Sequence, residues 1–317
     1  IVEMAGMPAA RDVDMFADGR VQMAEFDVGA GSPIANKRVS AADNYDSLTF
    51  AAIVRDQEMR IPSGDTLIES GDRLVVIGTP RSVQEFAGDV SSKEPTDETG
   101  EVVIIGGSTI GYHVARLLED RGVSPRIIEQ NSDRARWLAE RLPGTIVLET
   151  DATDIEFLER EHIGEADVVV AALDSDEKNL LASLLAKRVG TERSVAVIDQ
   201  SEYVDLFEAV GIDVGVNPRE VVAEEITRFT RAGGAENVAL VESGRAEVLE
   251  VEVDSSSVLA NRAIKESVPE LPEGVVIGAI TRDGEYVVPR GETVVQEGDH
   301  VVVFLDAAHS EEVPAML

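Results

Sequence analysis

The chain has 317 residues, enough for two or three domains, and 61 acidic against 28 basic side chains give it a net charge of −33. Such a surface repels nucleic acid and anionic lipid, and the absence of cysteine excludes disulfides, thiol catalysis and thiolate metal sites. No apolar run approaches the ~20 residues that cross a bilayer and no signal peptide opens the sequence, so a cytoplasmic chain without membrane insertion is expected.

Aromatics make up only 4% of the chain, so its cores must be built from Val, Ile, Leu and Ala. The acids are scattered along the whole length. That scatter favours a solvated, salt-adapted (halophilic) surface over an acidic face that collects cations. The start at Ile1 reads as that of a fragment.

Two distant stretches repeat each other. Ile34-Ala35-Asn36-Lys37 aligns with Leu259-Ala260-Asn261-Arg262, and Ile53, Arg55, Pro62, Gly64, Gly71 and Asp72 align with Ile280, Arg282, Pro289, Gly291, Gly298 and Asp299. Each copy, of about 65 residues, reads as short strands with turn punctuation. In "EVLEVEVD" the pattern puts Leu249, Val251 and Val253 on one face and Glu250, Glu252 and Asp254 on the other. Asp283-Gly284 predicts a hairpin turn. Neither copy holds a catalytic set, and His300, aligned with Arg73, reads as a satisfied or solvated histidine.

Between the copies, residues 89–100 are polar and read as a linker. From 101 to 218, the apolar runs "EVVIIG", "RIIE", "TIVLE", "DVVVAAL", "SVAVID" and "DVGVNP" alternate with helical segments. That is βαβ order, which predicts a doubly wound parallel sheet. Residues 219–240 read as a helix and linker, with Val222, Ile226 and Phe229 along one helical face.

The first βα turn, "GGSTIG", places Gly106, Ser108 and Gly111 at the three positions of a dinucleotide-binding fingerprint. Gly106 permits the tight turn, Gly111 lets helix and strand approach, and the helix N-terminus favours an anion. Ser108 stands where a glycine is usual. The same loop also reads as a purely structural turn. Glu129 ends the second strand, where an acid takes ribose hydroxyls and disfavours a 2′-phosphate; the alternative is one more surface acid. His113, His162 and His309 are not placed for hydride chemistry, so a nucleotide here reads as a regulator rather than a reactant, and no catalytic residues or metal ligands are expected.

The stretch from "GGSTIG" through "RIIEQNSD", "ETDATD" and "ALDSDEKNL" resembles the nucleotide-binding (RCK or TrkA-N) half of the TrkA family, and the repeated blocks resemble its TrkA-C domain. The resemblance implies a Rossmann-like sheet (101–218) with a smaller α+β TrkA-C domain on each side in sequence (21–88 and 241–317). Residues 1–20 would be the tail of a preceding nucleotide-binding domain, and 219–240 a crossover helix building a dimer. The implied role is that of a non-enzymatic, peripheral regulatory subunit on the inner face of the membrane. It would form a homo-oligomeric ring, a dimer of RCK domains or higher, on a potassium translocator of the TrkH/TrkG type. The cofactor would be NAD(H), with ATP or ADP next, and binding would gate the pore by conformational change. Alternative readings are the gating domain of a potassium channel or efflux antiporter and, further off, an NAD-dependent oxidoreductase. Carried over by motif, Gly106, Gly107, Ser108, Thr109, Ile110 and Gly111 face the phosphates. Glu129 and Gln130 lie at the ribose, Asp151 and Ala152 at the adenine, and Asp176 and Asn179 toward the phosphate or nicotinamide side. Ser108, Asn131 and Thr150 depart from the family's commoner residues.

Overall fold

A computed structural model describes residues 1–7, 9–56, 58–91, 100–231, 237–241, 244–310 and 312–317. Two compact units emerge: Ile1–Gly6 with Thr96–Ala223, and Met7–Pro95 with Glu224–Leu317. The two repeat copies, separated by the whole central domain in sequence, therefore share one unit.

After a short helix α1 (Val2–Ala5), the first copy runs β1 (Ala10–Phe16), β2 (Val21–Asp27), α2 (Val39–Ala42), β3 (Leu48–Arg55), β4 (Glu58–Arg60), β5 (Arg73–Gly78) and α3 (Pro80–Ser91). Its strands form an antiparallel sheet in the order β1-β2-β5-β3-β4. Phe86 of α3 meets Phe26 and Phe50 edge-on at 5.3 Å, which anchors the helix to one face of that sheet.

The central unit contains β6 (Val102–Ile105), α4 (Thr109–Asp120), β7 (Arg126–Glu129), α5 (Ser132–Arg141), β8 (Ile146–Glu149), α6 (Ile155–Arg160), β9 (Val168–Ala171), α7 (Asp176–Val189), β10 (Arg193–Val197), α8 (Val204–Ala209) and β11 (Val214–Val216). All six strands are parallel, in the order β11-β10-β9-β6-β7-β8. β6, β9 and β10 are buried throughout, as uninterrupted apolar runs require of a sheet covered on both faces. The order reverses beside β6, so the carboxyl ends of β6 and β9 open a crevice at the switch point.

After α9 (Pro218–Arg231) comes the second copy: β12 (Asn237–Val241), β13 (Ala246–Glu252), β14 (Arg262–Ala263), α10 (Ile264–Ser267), β15 (Val276–Arg282), β16 (Glu285–Val287), β17 (Val294–Val295) and β18 (His300–Asp306). Its sheet order, β12-β13-β18-β15-β16, reproduces that of the first copy. The repeat extends to backbone detail. Asn36 and Asn261 are both left-handed, at φ 64° and 58°, and both sheets carry a register shift at equivalent places, Phe50/Ala52 and Ile277/Ala279. Each copy also buries an aspartate against an arginine. Arg55 Nε donates to Asp72 Oδ1 at 2.6 Å and Arg282 Nε to Asp299 Oδ1 at 2.8 Å.

The sheets of the two copies pack face to face. Phe16, Met23, Val75 and Ile77 of the first share one core with Val241, Val248, Val302 and Phe304 of the second. This contact divides the acidic face of β13. Glu252 and Asp254 are exposed, but Glu250 is only 2% exposed, because that face lies against the first copy. The hairpin at Asp283-Gly284 forms as expected, with φ 50° and 79°.

Other boundaries shift. Of the residues assigned to a preceding domain's tail, α1 joins the central unit, where Glu3 pairs with Arg121 and Arg193 Nη1 donates to Met4 O at 3.3 Å. β1 instead takes the place in the first sheet that β12 takes in the second. Residues 89–91 continue α3, and the rest of the expected linker, 92–99, lies outside the described residues.

Candidate functional site

The crevice is built around the turn that leaves β6. Gly106 has φ 107°, and a Cβ there would stand 2.6 Å from the Ala172 carbonyl oxygen. A Cβ at Gly111 would stand 2.1 Å from the Gly106 carbonyl oxygen. Glycine is therefore required at both places, for conformation and for the approach of the β9 exit at the first, and for the approach of α4 to the turn at the second.

Ser108 is under no such constraint. Its φ of −59° is open to any residue, and its Oγ accepts the Gly111 N–H at 3.2 Å. The serine is the N-cap of α4. The next N–H groups, of Ser108, Thr109 and Ile110, have no acceptor among the described residues, and all three residues line a cavity of about 170 Å³. Its other walls are Ala172, Leu173, Asp174, Asp176, Asn179, Val197 and Asp199.

Glu129 reaches this loop from the end of β7. One carboxylate oxygen accepts the Gly107 N–H at 2.9 Å and the other the Asn131 N–H at 2.7 Å. A carboxylate offers about four acceptor positions, so two remain for further donors. Asn131, where the resemblance leads one to expect an acid, caps α5 by accepting the Arg134 N–H at 2.9 Å. Gln130 is exposed beside it.

The remaining predicted residues divide by how far their side chains are committed. Asp151 is exposed, and the N–H and hydroxyl of Thr153 hold its carboxyl below the usual range, with Lys178 adding to the effect. Ala152 is part of the apolar core between the sheet and its helices. Asp176 is buried and accepts the N–H groups of Asp199, at 2.8 Å, and Gln200, at 3.1 Å. Asn179, 1% exposed, exchanges bonds with both backbone groups of Leu173 and donates to Val197 O at 2.8 Å. These two side chains shape the crevice wall by tying the β9 and β10 exits together.

Two contributors escaped the sequence reading. Asp199 ends the run "SVAVID" and faces both this cavity and an adjoining one of about 350 Å³ lined by Asn217, Arg219 and Glu220. Arg134 donates from Nε to Gly107 O at 2.5 Å. The signal for Arg134 was its place in the first turn after the β7 exit, next to the glycine loop.

His113 is exposed on α4, and His162 pairs with Glu165 at 3.0 Å. Among the described residues, no group of three or more His, Asp or Glu side chains is arranged to hold a metal. No described helix is long and apolar enough to cross a membrane.

The TrkA-N domain family matches residues 102–218 and the TrkA-C domain family matches residues 23–88 and 248–316. The Trk system potassium uptake protein TrkA homolog 1 of Methanosarcina mazei is 36% identical over 314 residues, 99% of this chain and 69% of that protein. The Archaeoglobus fulgidus homolog is 38% identical over 301 residues, 95% of this chain and 67% of that protein. TrkA of Haemophilus influenzae is 30% identical over 310 residues, with 96% and 67% covered. Among solved structures, the GsuK RCK domain superposes with a TM-score of 0.52 at 20% identity, over 99% of this chain and 68% of that one. The GsuK channel bound to NAD gives 0.53 at 20% identity, over 99% and 57%. At that identity the likeness concerns the fold.

Proposed function

Because the chain belongs to the TrkA family of Trk potassium-uptake proteins, we propose that it is a regulatory, non-enzymatic subunit whose central unit binds an adenine nucleotide. The ligand is NAD(H) first and ATP or ADP second. Binding changes the shape of a homo-oligomer seated on the cytoplasmic side of a membrane potassium translocator, and so gates it.

One observation carries this reading: three successive N–H groups without acceptors among the described residues belong to Ser108, Thr109 and Ile110, which line a cavity at the switch point. A helix N-terminus of that kind stabilises an anion such as a diphosphate. Gly106 and Gly111 keep the space that a Cβ would fill, and the two remaining acceptor positions of Glu129 suit a ribose diol. Asp151 and Gln130, exposed beside Glu129, would meet the adenosine half, while Asp176 and Asn179 hold the opposite wall. A bound nucleotide would supply differential contacts between two states of the assembly; gating requires no turnover.

The oligomer reading rests on α9, where Val222 and Ile226 are 57% and 59% exposed on one helical face. The side chain of Phe229, expected on the same face, lies outside the described ones. The names of the relatives favour potassium uptake over a channel or an antiporter.

Calorimetric titration with NADH, NAD⁺, ATP and ADP at high salt tests the assignment. At least one should bind below millimolar concentration, and Glu129→Ala should weaken it by about tenfold or more, the loss of charge-assisted bonds to the diol. No binding by any of the four would sink the reading.

A further inference from the structure

The loop that carries these N–H groups begins with two glycines, Gly106 and Gly107. A peptide next to glycine turns over at little steric cost, so its orientation must be fixed from outside. Arg134 of α5 stands at that place. Its Nε donates to Gly107 O at 2.5 Å and its Nη2 to Ser108 O at 3.3 Å. The guanidinium carbon lies 4.1 Å from the ring centroid of Trp137, the chain's one tryptophan. Arg141 lies 4.3 Å from the same ring, and Tyr112 meets it edge-on at 5.0 Å. The arginine is thus seated on an aromatic support before it reaches the loop.

A trans peptide points its C=O and N–H in opposite directions. Holding Gly107 O therefore directs the Ser108 N–H away from Arg134, and Ser108 lines the cavity. Ser108 O is also held by the Tyr112 N–H at 2.9 Å, so the following peptide is fixed by the helix itself. The Gly107–Ser108 peptide is the one whose carbonyl depends on a side chain from another element.

We propose that Arg134 is a positioning residue for the phosphate-facing loop, locking the Gly107–Ser108 peptide so that the Ser108 N–H meets a bound diphosphate. This rests on the nucleotide reading above. It requires the fork of the guanidinium rather than its charge, since an ammonium cannot span two carbonyls in fixed geometry.

The test uses the 317-residue chain, Arg134→Lys and Arg134→Ala. Amide hydrogen exchange of the 106–112 segment, whose bonded amides are those of Gly106, Gly107, Gly111 and Tyr112, is measured without ligand, and calorimetry is run with the nucleotide the parent binds. Both variants should exchange faster in that segment and bind about tenfold more weakly, with unfolding midpoints near the parent's. Should the alanine variant fail to fold, Arg134→Gln replaces it. Parent-like affinity in Arg134→Lys, or unchanged exchange in both variants, overturns the positioning role alone. A parent that binds none of the four nucleotides overturns both readings.

Discussion

Glu250, in the second copy, accepts the backbone N–H of Ala17, in the first, at 3.0 Å across 233 residues of sequence. The same carboxylate oxygen takes the Asn237 amide at 2.6 Å, and His300 Nδ1 lies 3.6 Å from the other. A charged group sits this deep in an apolar interface only when such donors replace water. It joins the two copies by a directional bond as well as by packing.

Glu250→Ala should lower unfolding stability by about 1–3 kcal/mol, because it leaves the N–H of buried Ala17 without its acceptor, whereas the amide of exposed Asn237 can turn to water. Glu250→Gln keeps an acceptor oxygen and should recover most of the loss. Denaturant midpoints of the three proteins decide the matter; equal stability of parent and alanine variant would contradict the bond.

Asp72 and Asp299 occupy equivalent positions and make equivalent bonds. Each carboxylate is held by an arginine fork and by a backbone N–H, of Glu69 at 2.7 Å and Gln296 at 2.8 Å. Removing Asp299 leaves Arg282 with only the Val294 carbonyl among the described residues, whereas Arg55 without Asp72 keeps Glu69 at 2.6 Å, so Asp299→Ala should cost about 3 kcal/mol and Asp72→Ala less. The pairs share no partner, and the double variant should lose the sum. A neutral Asp299→Ala, measured by the same unfolding assay, would refute the equivalence.

Tyr286 lies against the shared core with its hydroxyl buried and without a hydrogen-bond partner among the described residues, where the first copy has Met59. Tyr286→Phe should raise stability by about 1 kcal/mol at neutral pH. Burial pushes the Tyr286 phenol up to about 12 from its ordinary 10. The folded state therefore holds this proton more tightly than the unfolded one. That contribution is complete below pH 10 and disappears as pH rises from 10 through 12, a parent-specific loss of up to about 2–3 kcal/mol. Unfolding curves of parent and variant across that window should diverge in favour of phenylalanine; parallel curves would reject the assignment.

Ser108 caps α4, so Ser108→Ala should destabilise the central unit by about 1 kcal/mol, and Ser108→Gly by only a few tenths. Thermal unfolding distinguishes them. If a glycine is needed there for the backbone, Ser108→Gly should instead stabilise, which the φ of −59° speaks against.

Much of the site was legible because its constraints are local. Gly106 and Gly111 are dictated by a turn and a close approach within six residues, and Glu129 by the end of the next strand. Asn179 and Asp176 were named by the family resemblance of the stretch after the fourth strand, but their work is not local. Their partners sit on the exits of β9 and β10, and nothing in "DSDEKNL" states which backbone groups they will hold. Arg134 was missed for the same reason: its acceptors are 26 and 27 residues away.

The sequence by itself determined the parallel βα domain and the duplicated small domain, because periodicity and turn chemistry are properties of neighbouring residues. Its copies even share their left-handed asparagines and their irregular strands. Only the tertiary structure decided that the copies close on each other. A strand's second face is buried or wet according to what arrives opposite it, and no alternation within "EVLEVEVD" could announce a sheet that lies beyond the whole central domain in sequence. That arrival makes Glu250 the acceptor that joins them.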